Sequence, residues 1–137
     1  MKSILCDADF FLDIFLKREP YFAPAAKLFA KIEQKKVEGY VSDFTFQVLF
    51  NLLAEEIGPV KAAITLAKLR IVFKVAPIDD KVIDLSLSSN FKDFEDAMEY
   101  YTLIQSPAVC LISRNKSGYM NKKIPILSPE EFLALHP

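Results

Sequence analysis

The stretch Ile4-Leu5-Cys6-Asp7-Ala8-Asp9-Phe10-Phe11-Leu12-Asp13 constrains the fold more than any other, because a short apolar run ends abruptly in acids and then takes on helical spacing. An apolar run of this length reads as a buried strand. The acids then fall at its carboxyl end, the edge of an open α/β sheet where ligands bind. Hard divalent cations are held by oxygen ligands, often one or two carboxylates, so Asp7 and Asp9 are candidate metal ligands. A single acid at this place equally serves as the cap of the following helix. Three acids in seven residues favour the metal.

Strand-like runs recur at Ser3 to Cys6, Glu38 to Val41, Ile71 to Val75, Ala108 to Ile112 and Pro125-Ile126, with helical patterns between them. Asp9 to Lys17 places Phe11, Leu12, Phe15 and Leu16 on one face, and Tyr21 to Gln34 continues with Ala25, Leu28, Phe29 and Ile32. Asp43 to Glu56 is stopped by Gly58-Pro59, which opens Val60 to Arg70. Asp79 to Ser88 and Asp93 to Ile104 read as two further helices, and Ser128-Pro129-Glu130-Glu131 as a capped helix start. Strands alternating with helices predict an α/β fold with a mostly parallel sheet covered on both faces.

Acid or amide residues recur beyond three of these elements: Asp7 and Asp9 after the first strand, Asp93 to Asp96 at a helix start, and Asn115 after the fourth strand. Asp93 and Asp96 are three apart and share a helix face. The lone histidine, His136, is next to last in the chain, which argues against structural zinc and any histidine-based triad. Cys6 and Cys110 each lie in an apolar run and are expected to be buried thiols. At 137 residues and 52% hydrophobic, the chain is expected to form one domain over residues 1–137. Without a membrane-length apolar run or a leader pattern, it is expected to be cytoplasmic, with no membrane partner.

The net charge of -1 decides nothing about nucleic acid, which needs local positive charge. Lys17-Arg18, Lys35-Lys36, Arg114-Lys116 and Lys122-Lys123 are local clusters, most simply solvated. Phe10, Phe11, Phe15, Tyr21, Phe22 and Phe29 crowd the first two helices; core packing is the default, and any left outside would form an interface patch.

The segment around Asp7 resembles the opening strand and helix of PIN domains. Phe91-Lys92-Asp93-Phe94-Glu95-Asp96-Ala97-Met98-Glu99-Tyr100 resembles that family's second acidic block, Ile112-Ser113-Arg114-Asn115-Lys116 the segment after its fourth strand, and Ile124-Pro125-Ile126-Leu127-Ser128-Pro129-Glu130-Glu131-Phe132-Leu133 its C-terminal ending. The resemblance implies a single PIN-like domain, an α/β fold with a mostly parallel sheet of about five strands. It also implies a VapC-like toxin ribonuclease that hydrolyses RNA phosphodiester bonds with Mg2+ or Mn2+ and pairs with an antitoxin protein; an apolar patch on the first two helices would suit a homodimer and the antitoxin's groove. By position, the resemblance assigns Asp7 and Asp96 to the metal, with Asp93 beside them and Asn115 at the fourth site. The family's Glu or Asn in the third helix falls on Val48, which cannot ligate; Asp43 or Gln47 are the nearest substitutes.

Other classes fit less well. Asp7-Ala8-Asp9 also resembles the haloacid dehalogenase phosphatases, but Phe11 stands where a small residue is expected there. A response-regulator receiver needs an acid ending the third strand, where Ala76-Pro77 stands. The alternative from a non-enzymatic class is a decayed PIN-like domain that binds RNA or protein.

Overall fold

The first strand, β1 (Ser3–Cys6), is buried along its whole length, and its side chains alternate between two cores. Ile4 and Cys6 enter a core with Phe10, Phe11, Leu28, Leu49, Leu53, Phe73 and Phe132, whereas Leu5 enters one with Tyr100, Leu103, Leu111 and Tyr119. A strand packed on both faces needs helices on both sides. The computed structural model, described here for residues 1–119 and 123–137, supplies them.

In chain order, β1 is followed by α1 (Ala8–Phe15), α2 (Phe22–Glu33), β2 (Glu38–Ser42), α3 (Asp43–Ile57), α4 (Pro59–Val72), β3 (Lys74–Ala76), α5 (Asp80–Leu87), α6 (Phe94–Gln105), β4 (Leu111–Ile112), a 3-10 turn (Ser117–Tyr119), β5 (Ile126–Leu127) and α7 (Pro129–Leu135). The five strands form one sheet in the order β3-β2-β1-β4-β5, with every pairing parallel. The expected α/β class is therefore correct. The connections run outward on both sides of the β1/β4 pair, so the switch point where open α/β sheets bind ligands lies between these two strands.

Two strand expectations shift. Ile71 and Val72 complete α4, and the strand is Lys74–Ala76 instead. Their β-branched side chains favour a strand only weakly; the helix runs on to Phe73, whose N–H still bonds the Leu69 carbonyl. The expected strand from Ala108 contracts to Leu111–Ile112, although Val109 N–H still bonds the Ser3 carbonyl and Leu5 N–H the Cys110 carbonyl. At the C-terminus the expected cap at Ser128 forms, and it closes as a capping box: Ser128 Oγ accepts from Glu131 N–H, and the Glu131 carboxylate accepts from Ser128 N–H.

Phe10 and Phe11 are fully buried, and Phe15 and Phe29 pack against the same core. These residues take the core packing expected by default, while Tyr21 stays 40% exposed. Exposed apolar side chains gather instead on α3 and α4, at Leu52, Ile57, Val60 and Ile64. Helix α4 is apolar around much of its circumference and buries only Ala62 and Leu69. Cys6 and Cys110 are buried without a disulfide, as expected, and burial pushes the Cys110 thiol up to about 12. No helix among the described residues is long and apolar enough to cross a membrane.

Candidate functional site at the switch point

Asp7 leaves the end of β1 with its N–H bonded to the Ile112 carbonyl at 3.0 Å, which ties the β1 and β4 ends together. Its Oδ1 accepts from Ala8 N–H at 2.8 Å, so Asp7 is the cap of α1 that one sequence reading anticipated. Its Oδ2 stays on the sheet edge, where it accepts from the Ser113 hydroxyl at 3.1 Å. Ser113 Oγ in turn accepts from Asn115 N–H at 3.0 Å, which turns Asn115 back over the edge.

Asp96 arrives from the other face of the sheet, in the first turn of α6. Asp93 caps that helix, its Oδ1 accepting from Glu95 and Asp96 N–H at 2.8 and 3.2 Å. Asn115 Nδ2 donates to both Asp96 oxygens at 3.3 and 3.4 Å, and the Tyr119 hydroxyl donates to Oδ1 at 3.4 Å. Gly118 permits this approach, because a Cβ there would collide with the Asp96 carboxylate. The structure thus joins Asp96 to Asn115 directly and Asp7 to Asn115 through Ser113. Asp93 stays exposed at the helix cap. Val48 is partly buried, Gln47 is exposed, and the Asp43 carboxylate accepts from Ile78 N–H.

The other two acids of the opening motif serve the segment after β4. Asp9 Oδ2 accepts from Arg114 N–H at 2.9 Å, and Asp13, 2% exposed, pairs with the Arg114 guanidinium through two bonds of 2.9 and 3.1 Å. The guanidinium lies 3.7 Å from the centre of the Tyr21 ring. Arg114→Met should destabilise the protein by about 3 kcal/mol, since it strands a buried carboxylate. In urea denaturation, adding Asp13→Leu to it should recover most of that loss. Lys116 is likewise engaged, by Glu131, and Lys122 lies outside the described residues.

Sequence reasoning passed over one further acid. Glu99 is 5% exposed on α6, and its Oε2 accepts from the Thr45 hydroxyl at 3.1 Å and the Ser42 hydroxyl at 3.4 Å. Among the described residues its Oε1 is buried without a partner. The available signal was its position three residues after Asp96, on the same helix face.

Negative charge accumulates here. Burial, then the charge of Asp9, pushes the Asp7 carboxyl up to about 6, against the lowering bonds from Ala8 and Ser113. Burial and the charge of Asp93 raise Asp96. Burial, then the charge of Asp7, raises Glu99 well above the usual carboxylate range, and Asp96 adds to it. Among the described residues no three acids, histidines or cysteines are arranged to grip one ion together. Asp7 and Asp96 nevertheless suit Mg2+, which keeps several waters and commonly takes only one or two carboxylates.

A parallel α/β sheet with acids collected at its switch point defines the class of protein. The particular family follows from the sequence: the PIN domain model matches residues 3–117, and the chain belongs to that family. No curated protein sequence matches the chain. Among solved structures, the fold is similar to that of Mycobacterium tuberculosis VapC20, a toxin that cleaves the sarcin-ricin loop, with TM-score 0.68, 15% identity and coverage of 85% of this chain and 93% of that one. Rickettsia felis VapBC2 bound to a DNA fragment from its promoter gives TM-score 0.65 and 12% identity, covering 92% of this chain and 97% of that one. DNA-bound VapBC from Salmonella typhimurium gives 0.61 and 12%, covering 93% and 96%.

Proposed function

We propose that this chain is a metal-dependent endoribonuclease, the toxin of a toxin–antitoxin pair, hydrolysing RNA phosphodiester bonds with Mg2+ or Mn2+ held by Asp7 and Asp96. The observation that carries this reading is the meeting of Asp7, Asp96 and Asn115 at the switch point, where burial and mutual repulsion raise the acids and, among the described residues, no basic side chain is bonded to Asp7 or Asp96. Such a site gains from a divalent cation. A bound cation would supply Lewis acidity toward a phosphate oxygen and a more acidic water.

The chain's own residues hold and aim the ligands. Ser113 fixes Asp7 by donating to Oδ2, and Asn115 fixes Asp96 while its backbone rests on Ser113. Asp93 adds negative charge beside Asp96. Asp7 must be ionised to bind a cation, so cation affinity should climb as pH rises through about 6. The exposed apolar residues of α3 and α4 offer a surface for the antitoxin or for a second copy of the chain.

The test is cleavage of a structured RNA by purified protein. Cutting should require added Mg2+ or Mn2+ and cease in excess chelator. Cleavage that continues in chelator would overturn the mechanism. Absence of both cation binding and cleavage would favour a decayed domain that binds RNA or protein, the reading to which Val48 lends support.

A further inference from the structure

We propose that Glu99 is a third acid of the site, a positioning residue whose carboxylate strengthens the hold of Asp7 and Asp96 on their divalent cation without being a direct ligand. This rests on the reading of Asp7 and Asp96 as cation ligands.

The geometry of Glu99 is hard to explain as packing alone. The side chain is 5% exposed, yet one carboxylate oxygen has no hydrogen-bond partner among the described residues. A buried polar group left unpaired is costly, and a buried charge more so. Glutamine in its place would accept the same two hydroxyl bonds without the charge. The opposite oxygen accepts from Thr45 Oγ1 of α3 at 3.1 Å and lies 3.4 Å from Ser42 Oγ at the end of β2, whose one hydroxyl hydrogen it shares with Thr45 Oγ1 at 2.9 Å. This clamp fixes the carboxylate where β2 ends, on the same sheet edge as Asp7. The ionisations of Glu99 and Asp7 affect each other, and that of Asp96 reaches both.

Direct ligation is not the role, since no three such groups among the described residues are placed to grip one ion. Burial and Asp7 hold Glu99 toward its neutral form in the empty site; a cation at Asp7 and Asp96 would draw that proton off, and a charge at longer range still acts strongly when little water intervenes. Groups just beyond the ligands of a metal commonly change its affinity tenfold or more. The clamp also answers how a chain with Val48 in α3 brings a further acid to this edge: Glu99 reaches it from α6, against Ser42 and Thr45.

The experiment titrates Mn2+ alone, without RNA, into wild type, Glu99→Gln and Asp96→Asn at pH 8, by calorimetry and by the electron paramagnetic resonance of free Mn2+. Thermal melts in chelator check the fold of each. Glu99→Gln should bind Mn2+ about tenfold more weakly while melting no lower than wild type. Thr45→Val, which removes one hydroxyl from the carboxylate and keeps the side-chain shape, should weaken Mn2+ by a smaller factor and covers the case that Glu99→Gln folds poorly. If both variants bind Mn2+ as wild type does while Asp96→Asn does not, this inference fails and the reading of the ligands stands. If wild type binds no Mn2+, both fail.

Discussion

Asp7→Asn should abolish metal-dependent RNA cleavage and at the same time make the metal-free protein more stable at pH 8, by about 2 kcal/mol. The two effects have one cause. Asp7 is raised from 3.8 to about 6 by burial and by Asp9, so the folded protein binds this proton more tightly than the unfolded chain does. A folded value above the unfolded one means that stability is fully present below about pH 4, is lost as pH rises to about 6, and stays lost above. A displacement of about two units corresponds to about 3 kcal/mol. Asparagine forfeits part of it through a poorer bond to Ser113, at about 1 kcal/mol. In chelator, urea denaturation at pH 8 should therefore rank the variant above wild type, and at pH 4 the gap should close. Added Mn2+ should stabilise wild type alone, because only the carboxylate binds it in the folded state. A variant less stable than wild type at pH 8 in chelator would contradict the electrostatic account of the site.

Most of what defines this site was legible because it is local. Asp7 follows four apolar residues, so its place at a strand end needs only the pattern around it, and Asp93 and Asp96 announce a helix start by their spacing. The carboxyl edge of a parallel sheet followed from the alternation of strands and helices, whereas the switch point needed the strand order. What the sequence concealed depends on distant partners. Glu99 reads as part of an ordinary helix until Ser42 and Thr45, more than fifty positions away, are seen to clamp it. Tyr119 and Gly118 bear on Asp96 only because the segment after β4 folds back, which Asp9 and Asp13 secure through Arg114. The strand boundary near residue 71 failed for a related reason: Ile71 and Val72 favour either structure, and the choice is made by helix continuity. The aromatic residues of α1 were ambiguous between core and interface, because periodicity gives a face without saying what covers it.

That ambiguity is resolved by Phe11, and Phe11→Ala should cost about 4 kcal/mol. Its ring is fully buried on α1, edge-on to Phe10 and to Phe73 just beyond α4 with centroids 5.1 and 5.0 Å away, and stacked on Phe15 at 6.3 Å. Removing it deletes three aromatic contacts at once and leaves a cavity walled by two rings of α1 and by Phe73, which the backbone holds apart. Against a total stability of about 5 to 15 kcal/mol for a domain, the variant should sit close to unfolding at 37 °C. Phe11→Leu, which retains most of the volume, should cost about 1.5 kcal/mol or less. The functional consequence reaches beyond stability, because Phe11 stands four residues from Asp7 on the helix that Asp7 caps. At low temperature, where Phe11→Ala remains folded, its Mn2+ affinity should fall along with its stability, whereas Phe73→Leu, on the far side of the same ring cluster, should lose stability and keep the affinity. Equal loss of affinity in both would show that the site depends on the core as a whole rather than on the seating of α1.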